Sequence, residues 1–203
     1  AKSVGSLLQE LVKKESTLAD AAGRVLRCVS VAKLRIMRPG SNQFLIEAKQ
    51  VLADGRVRVR NDVPGEKMYA GEDYAAAALR GASEELCMSV PLEASDVMLL
   101  HETVEVKPSA SYPNLMSRYT FYEVGVVIPG LPTSSFETTE KQGDVGVVHH
   151  WEWHDAMIQC QGSLSLTATQ TRLLERMFAG CACVEVSTLH GGFSGSMVLK
   201  TVS

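Results

Sequence analysis

The sequence predicts a mixed α/β layered domain, with strands on both sides of a central helix. Three observations carry this. The chain has 203 residues and a mass of 22.0 kDa, which suits one domain with short extensions. Hydrophobic residues make up 45% of it, enough for a buried core. Short β-branched runs also flank one Ala-rich segment that lacks proline. The expected order is three strands, a helix, three strands and a helix, with an N-terminal helix and a C-terminal hairpin added. The sheet is expected to be mixed rather than parallel throughout.

The elements follow in order. Val4, Leu7, Leu8, Leu11 and Val12 have helical spacing, so residues 4–14 are expected as an amphipathic helix. Residues 20–24 read as a turn or a short helical piece. A β-branched run over 25–37 ends at Arg38-Pro39-Gly40 and predicts a strand. Residues 44–52 and 56–60 are strands around the Asp54-Gly55 hairpin signal. Residues 73–88 are Ala-rich and predict a helix. Strands follow at 96–106, 117–128 and 145–153, with 131–144 read as a polar loop. Leu173, Leu174 and Met177 place a helix over 167–178, and a hairpin closes the chain over 183–189 and 196–202. The expected division is a helical extension at 1–24, the main domain at 25–180 and a hairpin at 181–203 that begins a further domain or simply ends this one.

Charge and cysteine usage exclude some functions. Twenty Lys+Arg against 23 Asp+Glu give a net charge of −3, which argues against broad nucleic-acid binding. No apolar run reaches the roughly 18 residues of a membrane span, and the N-terminus lacks the pattern of a secretory signal. The five cysteines (Cys28, Cys87, Cys160, Cys181, Cys183) are odd in number and show no framework spacing. They read as reduced thiols of an intracellular protein.

The chemistry-bearing stretch is residues 64–90, PGEKMYAGEDYAAAALRGASEELCMSV. It resembles the box of the Nudix hydrolase family, in which a Gly, five residues, a Glu and seven residues precede Arg-Glu-apolar-x-Glu-Glu-x-Gly-apolar. Pro64-Gly65, Lys67, Gly71-Glu72, Arg80, Glu84 and Glu85 match without a gap. Glu66 stands for the first Gly, Gly81 for the Glu after the Arg, and Cys87 for the last Gly. The resemblance extends, through the order of elements, over roughly residues 25–178 and implies a Nudix-like α/β/α sandwich.

The resemblance implies Mg²⁺ as cofactor, held by carboxylates of the box, where it neutralises a diphosphate and helps activate water. Glu66, Glu72, Glu84 and Glu85 are the metal candidates it gives. Positions i, i+3 and i+4 of a helix share a face, so residue 81 projects beside 84 and 85. Gly81 supplies no carboxylate there, and Glu84 and Glu85 diverge by about 100° around the axis. The family's catalytic base position is therefore empty, and no other catalytic residue is assigned. Glu137 and Glu140 are candidates for the further loop carboxylate some members use. Arg80, which in the family orients the missing Glu, is expected to pair with Glu84 or Glu72. Lys67, Arg80, Glu137, Glu140 and Tyr112 are the ligand-binding candidates. The apolar stripe Ala75, Ala78, Leu79, Ala82 and Leu86 is expected to pack on the sheet.

Two further stretches bear weighing. In His149-His150-Trp151-Glu152-Trp153-His154 a strand places His150, Glu152 and His154 on one face. Residues four apart lie about 13 Å from each other on a strand, too far to share one ion, so a core-facing Trp151 and Trp153 with a polar outer face is expected. The glycine-rich run 189–198 resembles the opening hairpin of kinase-like phosphotransferases, but nothing else of a kinase is present in the chain.

The leading expectation is a degenerate Nudix-fold module without hydrolysis. It would bind a nucleotide-like small molecule or a protein partner, or act as a structural subunit. The rival expectation is an active Mg²⁺-dependent hydrolase of nucleoside diphosphate-linked substrates. A third is a protein-interaction domain unrelated to that family.

Overall fold

The computed structural model describes residues 1–41, 43–142, 145–156, 158–160, 164–177, 184–189 and 198–202. Three helices are described, α1 (Val4–Val12), α2 (Tyr74–Leu86) and α3 (Ala168–Met177). The strands are β1 (Thr17–Ala21), β2 (Arg24–Ile36), β3 (Gln43–Val51), β4 (Val57–Asp62), β5 (Gly65–Lys67), β6 (Met98–Pro108), β7 (Met116–Val126), β8 (Phe136–Gln142), β9 (Val145–Asp155), β10 (Ile158–Cys160), β11 (Val184–Leu189) and β12 (Val198–Val202).

They form three sheets. The first runs β1-β2-β7-β6, with β5 beyond β1 on the same edge of β2. It is mixed: β2 and β7 are parallel, whereas β1 and β5 lie antiparallel to β2, and β6 antiparallel to β7. The second runs β4-β3-β9-β8, all antiparallel. In the third, β10 pairs parallel with β11, which pairs antiparallel with β12. This is the mixed α/β architecture expected from the sequence.

The core forms because the second half of β2 buries alternate residues from Ala32 on. Ala32, Leu34 and Ile36 face α2, together with Val124 and Val126 of β7 and Trp151 of β9. Small residues let α2 sit close on this surface: Ala75, Ala77, Ala78, Gly81 and Ala82 are all buried. Asp73 caps the helix by accepting from the Ala75 N–H at 2.8 Å. At the other end Cys87 adopts a left-handed conformation, φ 53°, in the place where helices favour glycine. Its thiol donates to the carbonyl of Thr139 at 2.9 Å, which ties the helix end to β8.

One local reading is corrected and two strands are added. Residues 17–21, given no strand beforehand, form β1, which returns into β2 through Ala22 and Gly23 within the turn expected at 20–24; their φ angles of 53° and 77° suit a tight hairpin. The polar stretch expected as a loop over 131–144 contains β8, an edge strand in which a single Phe among Glu, Thr, Lys and Gln carries little apolar signal. The short β10 was not expected either, and it joins the closing hairpin into a three-stranded sheet. The glycine-rich run between β11 and β12, like Cys181 and Cys183, lies outside the described residues.

α1 is pinned by charge. Glu10 is 5% exposed, and its carboxylate accepts from Arg27 of β2 at 2.5 Å and from Lys2 and Lys67 at 3.1 Å each. Burial alone would raise its pKa, but these three cations bring it down to about 2. Among the described residues no helix is long and apolar enough to cross a membrane.

Candidate functional site

The box residues sit on β5, the following loop and α2. Arg80 is their hub. Its guanidinium donates to Glu66 Oε1 at 2.6 Å, to both carboxylate oxygens of Glu72 at 3.1 and 3.0 Å, and to the Lys67 carbonyl at 2.9 Å. Its outer face covers the Tyr69 ring at 4.3 Å. The Glu72 pairing was expected; Glu66, rather than Glu84, is the second partner. Burial works against the Glu72 charge, yet the Arg80 hydrogen bonds and the Tyr69 N–H hold its pKa below the usual carboxylate range. Glu66 goes the other way: burial raises its pKa, with Glu84 and Glu72 adding repulsion, and Arg80 only partly offsets this.

Gly81 and Glu66 form a matched pair. A Cβ added at Gly81 would meet Glu66 Cβ at 2.6 Å and Cγ at 3.0 Å. The strand side chain thus fills the volume that a helix side chain would take. Compared with the family pattern the two positions have exchanged residues, glycine for glutamate and glutamate for glycine. Glu66 places a carboxylate on β5, where Arg80 pairs with it.

A second cluster lies behind the C-terminal half of α2; Glu85 and Glu140 were among the sequence candidates, but its buried pair, Glu47 and His149, was missed. Glu47 of β3 and His149 of β9 are each 1% exposed. His149 Nδ1 lies 2.6 Å from Glu47 Oε1, and Arg60 of β4 donates to Glu47 Oε2 at 3.0 Å. His149 Nε2 is 3.3 Å from Glu140 Oε2, without hydrogen-bond geometry. Glu85 completes the group, with a buried Oε2 that has no hydrogen-bond partner. Burial, then repulsion from Glu47, Glu66 and Glu140, pushes its pKa up to about 8, against some relief from His149. Burial disfavours the charged form of His149, but Glu47, Glu85 and Glu140 raise its pKa nonetheless. The Glu85 carbonyl accepts from Thr138 at 2.6 Å, and Thr138 in turn accepts from the Trp151 indole at 2.8 Å. The only signal in the sequence for this cluster was a Glu and a His at inward-facing positions of predicted strands.

The other candidates scatter. Glu84 is exposed. Lys67 is engaged by Glu10 and Glu15 of the N-terminal segment. Glu137 is exposed on β8 and pairs with His150 at 2.9 Å, whereas Glu140 of the same strand reaches the buried cluster. Tyr112 is 6% exposed, lies under the Arg27 guanidinium and lines neither cavity described below.

These residues do not fit the Mg²⁺ that the resemblance implies. Glu66 and Glu72 are committed to Arg80. Glu85 is half-buried and makes no side-chain hydrogen bond through its inward oxygen. Among the described residues no three His, Cys, Asp or Glu side chains converge where one ion could be held.

A cavity of about 670 Å³ lies on the other face of the first sheet, between β2, β6 and β7 and the segment of β10 and α3. Phe44, Leu100, Ile158 and Leu166 give it apolar walls. Arg35 lies over the Phe44 ring at 5.0 Å and donates to Glu123 Oε1 at 2.8 and 3.1 Å. Arg172 of α3 contacts His101 Nε2, and among the described residues no carboxylate pairs with it. No box residue lines this cavity.

No family model and no curated protein matches the chain. Several solved structures do. A "mMutator MutT protein" from Bacillus halodurans is 15% identical with a TM-score of 0.38, over 85% of this chain and 97% of that one. An Ap4A hydrolase from C. elegans, solved as a binary complex, is 16% identical with a TM-score of 0.34, over 75% of this chain and 98% of that one. A MutT/nudix family protein from Enterococcus faecalis is 14% identical with a TM-score of 0.30, over 88% of this chain and 69% of that one.

Proposed function

We infer that the chain is a Nudix-fold module that binds a nucleotide-like ligand without hydrolysing it. One observation supports the absence of hydrolysis: two of the four box carboxylates, Glu66 and Glu72, are committed to Arg80. Glu84 is exposed, and Glu85 is half-buried with its pKa pushed up to about 8. Hydrolysis of a diphosphate in this family relies on ionised carboxylates around a metal. Ligand binding is supported by the cavity of about 670 Å³ under α3. Its apolar walls and Phe44 suit a planar ring, and Arg172 offers an unpaired cation for a phosphate.

The test is thermal unfolding with ADP-ribose, dinucleoside polyphosphates, NADH and nucleoside triphosphates, with and without Mg²⁺, together with phosphate release. Stabilisation that persists in chelator, with no release, is the expected result. Metal-dependent release by the unaltered chain would overturn it.

The exchange of Glu66 and Gly81 favours a second reading, an active hydrolase in which Glu66 supplies the carboxylate of position 81. That reading requires Mg²⁺-dependent turnover that Glu66→Gln abolishes.

A further inference from the structure

A second cavity, of about 400 Å³, opens on the opposite face of the first sheet. Strand alternation separates the two. Arg35 and Glu123 face the larger cavity, whereas Cys28, Ser30, Arg118 and Thr120 face the smaller one. The register pairs Cys28 with Arg118 and Ser30 with Thr120, so these four side chains form one patch. It lies beyond the N-terminus of α2, where the helix no longer covers the sheet. The roof is the chain after α1 and the loop after β5. Backbone bonds from Ala70 N to the Lys14 carbonyl, 2.8 Å, and from Met68 N to the Ser30 carbonyl, 2.9 Å, hold it in place.

The polar groups here divide cleanly. The two carboxylates of the lining have partners: Glu15 pairs with Lys67 at 3.5 Å and Lys13 at 3.8 Å, and Glu72 is held by Arg80. The two cations do not. Lys14 and Arg118 have no carboxylate partner among the described residues, so the cavity presents uncompensated positive charge. Ser16, 4% exposed, carries a buried hydroxyl with no hydrogen-bond partner. A buried polar atom left unpaired costs free energy until something bonds to it. Thr17, Ser30 and Thr120 add further hydroxyls. The two aromatic rings of the lining each have one face covered, Tyr69 by Arg80 and Tyr122 by Tyr74.

We propose that this cavity binds a phosphorylated sugar, with Lys14 and Arg118 on the phosphate and the hydroxyls of Ser16, Ser30 and Thr120 on the sugar. Cations without carboxylate partners select the anion. A hydroxyl-lined floor exchanges hydrogen bonds with a polyol at little cost, and the covered rings give a base little to stack on. The site shares no residue with the larger cavity, so it stands or falls apart from the nucleotide reading.

The test is calorimetric titration of the full chain with ribose 5-phosphate as probe, against ribose and inorganic phosphate. Saturable binding of ribose 5-phosphate is expected, weaker binding of phosphate, and none of ribose. Arg118→Gln, at an exposed position that leaves folding intact, should weaken binding by tenfold or more, roughly the loss of one charge-assisted hydrogen bond. Ser16→Ala should weaken it several-fold without lowering the melting temperature. Arg172→Gln, in the other cavity, should leave it unchanged. No binding by the unaltered chain, an Arg118→Gln chain that binds as well, or phosphate binding as tightly as the sugar phosphate would each overturn the proposal.

Discussion

At Gly81 a missing side chain and a neighbour's extra one fit together. A Cβ there would stand 2.6 Å from Glu66 Cβ, an atom fixed to the strand backbone. Gly81→Ala is therefore expected to destabilise the chain by roughly 1–3 kcal/mol despite alanine's better helix propensity. In a Glu66→Gly background the same change should become neutral or stabilising. Chemical denaturation of the four variants checks this, and additive effects would contradict it. Restoring a glutamate at 81 alone is blocked by the same contact, so only the double exchange can restore the family pattern. Cys87 makes the converse case. Its φ of 53° is strained for any residue but glycine, so Cys87→Gly should raise stability by up to about 1 kcal/mol, less the bond to Thr139.

Glu85 predicts a pH dependence. Its folded pKa is about 8, above the ordinary 4.5 of the unfolded chain. Below the lower value both states are protonated and its burial costs nothing. As pH rises toward the upper value, unfolding releases a proton and stability is lost. Glu85→Gln should remove that slope, leaving the variant more stable by roughly 2–4 kcal/mol at pH 8 and little changed at acid pH. Melting curves between these limits are the measurement; parallel profiles for both chains would refute the assignment.

At the scale of elements, α1 depends on one carboxylate. Glu10 gathers Arg27, Lys2 and Lys67 in a largely buried site. Its pKa is depressed, so its stabilisation is present above about 4.5 and lost as pH falls toward about 2. Glu10→Gln leaves Arg27 buried without its counter-charge and should cost roughly 3 kcal/mol. Protease cleavage within residues 1–16 should then precede global unfolding; uniform protection would show that apolar packing holds the helix instead. Much at this scale was legible beforehand. The Ala run and Asp73 announced α2, and the β-branched run over 25–37 announced β2 within a residue at each end. The alternation in 149–154 correctly put Trp151 in the core and His150 outside. What escaped was set by pairing rather than by local signal. β8 is Thr and Glu on an edge, and it exists because β9 offers it a partner. The Glu47–His149 pair comes from strands about a hundred residues apart, and no window of sequence brings them together.

Over the whole molecule, the first sheet separates two chemistries. Its outer face and α3 enclose a cavity that combines apolar walls, Phe44 and Arg172. Its inner face carries α2 and the Arg80–Glu66 pair. The pairing of Arg80 with Glu72 was legible in the sequence. That Glu66 fills the space beside Gly81 was not, because β5 and α2 are neighbours only in the fold. If the larger cavity takes the ligand, Arg172→Gln should reduce the stabilisation by ADP-ribose several-fold without lowering the unliganded melting temperature, since the side chain lies at a partly open surface.

The central claim is that the box carboxylates no longer form a metal centre. The most direct test is a titration with Mn²⁺, a paramagnetic stand-in for Mg²⁺, followed by water proton relaxation at neutral pH. The unaltered chain should show no saturable site, and the double exchange Glu66→Gly with Gly81→Glu should create or strengthen one. Stoichiometric binding by the unaltered chain, lost in Glu85→Gln, would contradict the account and place a working metal site beside Arg80 and α2.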